Sequence, residues 1–201
     1  MLILAHRGCW QTPAEKNTRT AFERSFTLGF GTETDVRDLA GQIVISHDMP
    51  RGGELTFAEV LQIMDRRNLP LAINIKADGL ADQLLAVLRH YRQTNYFTFD
   101  MSIPDLAYQV KKGLPVFTGL SDLNPAAPLL AKCPGVWLDA FDSLWYTPEA
   151  VKDLLRSGKR VCIVSEDLHQ RDNAAQWKML KTAGLFEEDN LLLCTDQPQK
   201  A

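Results

Sequence analysis

The chain has 201 residues, 45% hydrophobic and 23% charged, which places it among ordinary globular domains and excludes disordered and fibrous polymers. Its 22 Lys and Arg against 25 Asp and Glu leave a formal charge of −3, so no global basic field is present to hold a nucleic acid. Four scattered cysteines without metal-finger spacing, no apolar run of membrane length and an opening segment without a basic n-region predict a cytoplasmic protein with free thiols and no integral membrane segment.

Short β-type runs alternate with helical patterns along the chain. Leu2–His6 reads as a strand and Thr18–Leu28 as a helix closed by Gly29. Thr32–Val36 reads as the next strand, followed by extended Gln42–Ser46. A helix then opens on a Thr56/Glu59 capping box, with Phe57, Val60, Leu61 and Met64 on one face and Pro70 as its stop. Strand Leu71–Lys76, helix Leu80–Tyr91, strand Tyr96–Phe99 and helix Ile103–Lys112 continue the alternation. Val116–Thr118, Val136–Leu138, Val161–Val164 and Leu191–Cys194 are further strands, with helices predicted at Pro128–Lys132, Thr147–Ser157 and Ala174–Ala183.

About eight β segments separated by helices predict parallel pairing through right-handed crossovers, in a (β/α)8 barrel or an open doubly wound sheet. Roughly 25 residues per unit are just enough for a strand, a helix and two short loops. With only Asp196–Ala201 after the last strand, the final helix of a barrel is expected to be reduced or missing. No repeat or linker divides the chain, so 1–201 is read as one domain, with its oligomeric state left open.

Polar residues gather at the carboxyl ends of these strands, where barrels and open α/β sheets build their sites. His6 and Arg7 end the first strand. Glu33 and Asp35, at i and i+2, share one strand face and can converge on a hard cation such as Mg²⁺ or Ca²⁺. His47 and Asp48 close the extended segment; Asn74, Lys76 and Asp78 follow the third strand, and Asp100, Asp139 and Asp196 end later ones. Each residue alone also has an ordinary reading as a solvated strand face, a turn or a core histidine. Two histidines flanking paired carboxylates, with an arginine alongside, are what acid–base chemistry at a metal-bound phosphate requires. Lys76 can neutralise a phosphoryl oxygen, Glu166 and His169 can overhang the pocket, His90 reads as surface, and the cysteines read as small core hydrophobes.

The blocks Ala5-His-Arg-Gly8, Glu15-Lys-Asn-Thr18, Glu33-Thr-Asp-Val36 and Val44-Ile-Ser-His-Asp48, with Thr195-Asp-Gln-Pro198 near the end, resemble the glycerophosphodiester phosphodiesterase family. The resemblance covers about the first quarter of the chain in order and spacing, and mainly the βα rhythm thereafter. It implies a (β/α)8 TIM barrel acting as a phosphoric diester hydrolase on a small phosphodiester. It further implies His6 and His47 as the acid–base pair, Arg7 and Lys76 on the phosphate, and Glu33 and Asp35 as ligands of Mg²⁺ or Ca²⁺. Asn74 stands where the family usually has a third acidic ligand, with Asp78 or Asp100 as compensating candidates. The family's insertion after the His-Asp block is reduced to Met49–Leu55, and the block Cys162–His169 lacks its tryptophan. Two other readings stay open: a phosphate-binding barrel with little turnover, and a lyase-like barrel that releases a cyclic phosphate.

Overall fold

The computed structural model describes residues 1–201 and contains nine strands in one sheet. In chain order the elements are β1 (Leu2–His6), α1 (Arg19–Thr27), β2 (Gly31–Leu39), β3 (Gln42–Ile45), α2 (Phe57–Met64), β4 (Leu71–Ile75) and α3 (Ala81–Tyr91). Then come β5 (Tyr96–Phe99), α4 (Ile103–Lys111), β6 (Phe117–Leu120), β7 (Gly135–Leu138), α5 (Pro148–Arg156), β8 (Arg160–Val164), α6 (Ala174–Thr182) and β9 (Leu191–Thr195). The strands run in the order β5-β4-β2-β1-β9-β8-β7-β6, all parallel, and a parallel bridge from Thr98 to Val116 joins the two ends of that path. The fold is therefore a (β/α)8 TIM barrel and not an open sheet.

Between β6 and β7 the helix expected at Pro128–Lys132 is only a 3-10 turn, Leu130–Lys132. Two further corrections have local causes. The helix opened by the Thr56/Glu59 capping box ends at Met64, because Asp65 turns left-handed at φ 50° and Arg66 and Asn68 also adopt positive φ, well before Pro70. β2 runs past Val36 because Ala40 and Gly41, at φ 50° and 78°, turn it into an antiparallel hairpin with β3.

The side-chain period of two carries each inward-facing row from apolar core to polar mouth. Leu4 leads to His6, Ala72 to Asn74 and Lys76, Trp137 to Asp139, and Cys194 to Asp196. Leu4, Ala72, Phe97, Phe99, Phe117, Trp137, Cys162, Val164, Leu192 and Cys194 form one buried cluster, the barrel interior. Inside it Phe97 stacks on Phe117 and Phe99 on Trp137, each pair with ring centroids 3.8 Å apart. The outward rows pack under the helices, as Val36, Ile73 and Ile75 do against Phe57, Leu61 and Leu84.

Gly31 lies where two strands close in. A Cβ there would come within 2.4 Å of the Pro70 carbonyl oxygen and 2.7 Å of a Leu4 methyl. Gly31→Ala is therefore expected to cost about 1–3 kcal/mol, because the nearer obstacle is backbone. A urea midpoint equal to that of the parent would refute this crowding.

Candidate active site

Nine residues singled out from sequence line one cavity of about 300 Å³ at the carboxyl end of the barrel: His6, Arg7, Glu33, His47, Asn74, Lys76, Asp100, Asp139 and His169. Strand register assembles the inner group. His6 pairs with Glu33 across β1 and β2, and Asp35 with Asn74 across β2 and β4, so the four side chains share the inward face at two successive levels near the barrel mouth. Asp35 is fully buried just behind the cavity wall.

The turn after β1 sets the approach. Arg7 and Gly8 both take positive φ, 57° and 83°, and a Cβ on Gly8 would lie 2.8 Å from Ala21 of α1, so only glycine fits there. This turn brings Arg7 Nε to 2.8 Å from Asp35 Oδ2, the same oxygen that accepts a 2.8 Å hydrogen bond from Asn17 Nδ2. Asn17 is itself left-handed at φ 60°, and its side-chain oxygen accepts from Thr34. Lys76 Nζ stands 3.3 Å from Asp100 and 3.8 Å from Asp35 Oδ1, the latter an ion pair without a hydrogen bond.

His6 is held by a carboxylate from the opposite end of the sequence. Its Nδ1 lies 2.6 Å from Asp196 Oδ1, while Nε2 faces Glu33 Oε2 at 3.8 Å. Asp196 is fixed in turn by Lys16 Nζ at 3.3 Å and by its own backbone N–H, which donates to Asp167 Oδ2 at 2.8 Å. Burial, helped by the Arg7 and Lys16 charges, lowers the His6 pKa from its ordinary 6.5 against the opposing pull of Asp196, so the imidazole is neutral at pH 7. With the Nδ1 proton directed at Asp196, the lone pair lies on Nε2. Burial opposes ionisation of Asp196 too, but the hydrogen bond and charge of His6, with Lys16, outweigh it and hold the carboxyl below its usual range. His47 sits on the loop after β3, half exposed, with Nδ1 at 2.9 Å from Asp48.

Glu33 is pushed well above the usual carboxylate range, first by burial and then by the nearby Asp35 charge. Three buried oxygens here, Glu33 Oε2, Asp35 Oδ1 and Asn74 Oδ1, have no hydrogen-bond donor. Each such acceptor costs about 1–3 kcal/mol if nothing satisfies it. No three His, Cys, Asp or Glu side chains cluster as a metal site; the donor-free oxygens gathered here are those of Glu33, Asp35 and Asn74. Oxygen-only donors of this kind fit Mg²⁺ or Ca²⁺.

Asp78 and Glu166 do not line the cavity. Asp78 accepts from Ser102 N at 3.2 Å and from Ser102 Oγ, capping the start of α4. Glu166 is buried against Arg171 at 3.3 Å. Across the cavity from His6, His169 Nε2 lies 2.7 Å from Asp139 Oδ1 and forms a second His–Asp pair. Burial pushes the Cys9, Cys162 and Cys194 thiols up, which removes them as nucleophiles.

No protein-family model matches the sequence, and no curated protein matches it significantly. Solved structures do match. A protein assigned as a glycerophosphodiester phosphodiesterase from Galdieria sulphuraria superposes with a TM-score of 0.77 at 19% identity, covering 98% of this chain and 94% of that one. A phosphodiesterase from Oleispira antarctica, in complex with its product sn-glycerol-3-phosphate, gives 0.70 at 18% identity over 100% and 94%. The glycerophosphodiester phosphodiesterase from Agrobacterium tumefaciens gives 0.70 at 16% identity over 98% and 97%. The chain has the glycerophosphodiester phosphodiesterase fold. On that fold, Asn17 and Lys16 gain contacts that the sequence shows only as part of a motif block, and Asp196, legible in sequence as a strand-end carboxylate, gains His6 as its partner.

Proposed function

We propose that residues 1–201 act as one metal-dependent phosphoric diester hydrolase, cleaving a glycerophosphodiester or a related lipid-derived phosphodiester by histidine acid–base catalysis. One observation carries this reading: a neutral, carboxylate-oriented His6 shares a cavity with His47, Arg7, Lys76 and two of three buried oxygens that lack donors. Glu33, Asp35 and Asn74 would hold Mg²⁺ or Ca²⁺, which when bound neutralises the carboxylates and polarises a phosphoryl oxygen.

The chain's own residues do the rest. Arg7 and Lys76 bind the anionic diester and offset charge building on its equatorial oxygens. His6 Nε2 accepts the proton of the attacking hydroxyl, and Asp196 stabilises the imidazolium that forms. His47 hands a proton to the departing alkoxide. Attack by water gives the hydrolysed product directly, whereas attack by a substrate hydroxyl gives a cyclic phosphate that is either released or opened by a second water. Phosphorus NMR of products from glycerophosphocholine with Mg²⁺ or Ca²⁺ tests the reading; a cyclic phosphate as sole product supports the lyase form. The buried, unpaired cysteines support a reducing compartment such as the cytoplasm. No helix is long and apolar enough to cross a membrane.

Asn74 favours a second reading, a barrel that binds a phosphate ligand with little turnover, because an amide lends the cation no formal charge. Calorimetric titration of metal-stripped protein should give saturable Mg²⁺ or Ca²⁺ binding that disappears in Glu33→Ala/Asp35→Ala. Asn74→Glu should tighten it by on the order of tenfold. Equal heats in parent and double variant, with a phosphodiester analogue present, would remove the metal mechanism.

A further inference from the structure

The apolar lining of the cavity is confined to one half, which it shares with Asp100, Ser121, Asn124, Asp139 and His169. The wall from β1 to β4 carries His6, Arg7, Glu33, Asn74 and Lys76. Every apolar lining residue comes from β5 onward: Phe99, Leu120, Trp137, Phe141, Val164 and Leu168. This apolar wall does not stop at the mouth. Phe141 lines the cavity and is also 43% exposed, Trp145 in the same loop is 38% exposed, and Leu123, between cavity residues Ser121 and Asn124, is 66% exposed.

The exposed strip is held in place rather than slack. The Asp122 carboxylate accepts from the backbone N–H groups of Phe141 at 2.9 Å and Asp142 at 2.7 Å, tying the loops after β6 and β7 together. Arg171 donates to the carbonyls of Phe141, at 2.5 Å, and Ala140. Trp145 Nε1 donates to the Asp139 carbonyl at 2.7 Å. Three anchors thus keep an apolar strip facing solvent, continuous with a cavity, where apolar surface is stabilised only when something covers it.

We propose that this half of the site takes the apolar chain of the substrate. The inference rests on the phosphodiesterase reading above and deepens it: the substrate class is a single-chain amphiphilic phosphodiester, not a fully deacylated one. The phosphate sits by Arg7 and Lys76, and the chain runs along Trp137 and Phe141 and out over Leu123. The His169–Asp139 pair lies on the apolar side, where the hydroxyl and ester oxygens linking phosphate to chain need a polar partner.

The test is a homologous series of 1-acyl glycerophosphodiesters with acyl chains of zero to about eight carbons, assayed below their aggregation concentrations. Each methylene covered by the strip should raise kcat/KM roughly two- to fourfold until the strip is filled. Leu123→Asn and Phe141→Ser should each flatten that slope, a ratio within one variant that does not depend on its basal rate. A flat slope in the parent alongside turnover of the deacylated diester overturns the proposal and leaves the phosphodiesterase reading standing. An unchanged slope in both variants also overturns it. A jump in rate only above the aggregation concentration overturns it in favour of a face that docks on a lipid surface. No turnover of any diester removes the underlying reading and the proposal with it.

Discussion

His6→Ala is expected to lower kcat/KM on a phosphodiester by about 10²–10⁴-fold, the usual worth of a positioned acid–base group, without unfolding the barrel. Asp196→Asn should also slow the reaction, because Asp196 holds the imidazole with its Nδ1 proton directed away from the cavity. The pH profile carries the sign. Burial leaves the His6 pKa below 6.5, so Nε2 is unprotonated near neutrality, and the rate should fall only as pH drops below that value. Asp196 raises the His6 pKa, so replacing the carboxylate should move the acid limb to still lower pH. A folded-state pKa below the unfolded one also means that this group costs stability as the solution is acidified through 6.5 and below. An acid limb that moves upward in Asp196→Asn, or a His6→Ala enzyme as fast as the parent, would end the assignment.

Arg7→Leu is expected to destabilise the metal-free protein by about 3–5 kcal/mol, the range for stripping one partner from a buried ion pair. Asp35 is fully buried; it would keep only the Asn17 amide at 2.8 Å and the Lys76 ammonium at 3.8 Å. Mg²⁺ or Ca²⁺ should restore part of the loss and raise the urea midpoint more in the variant than in the parent. Arg7→Leu/Asp35→Asn, with neither charge left, should fall nearer the parent than the single variant does. A metal-free loss below about 1 kcal/mol, the level of an exposed pair, would show that Asp35 does not need Arg7.

The parts legible in the sequence were those fixed by local rules. The Thr56 capping box, the left-handed glycines after helices and the period-two strands are each set by neighbours within a few residues, and the structure has them where the pattern put them. The stop of α2 was misplaced because Pro70 is a louder signal than Asp65, Arg66 and Asn68, whose positive φ no simple pattern announces. Six of the residues noted at the first four strand ends line one cavity, and the parity of side chains along a strand, which puts Glu33 and Asn74 on the inward face, is visible in sequence. The partners of the two histidines were not visible. His6 and Asp196 lie 190 positions apart and His169 and Asp139 30 apart, and each contact exists only once the ring of strands has its stagger.

The junction of β5 and β6 differs from every other in the ring. Neighbouring strands elsewhere share at least three registered pairs, whereas here a single bridge at Thr98 and Val116 suffices, and the stacked rings of Phe97 and Phe117 span the gap. Aromatic stacking thus supplements a short backbone bridge at this seam. Widening it by a fraction of an ångström strains only the two backbone bonds of that bridge, where any other pair of staves carries a longer ladder. Phe99 and Gly119 stand just above the seam in the cavity wall, so the junction with the shortest ladder in the ring borders the side of the cavity that carries the apolar lining.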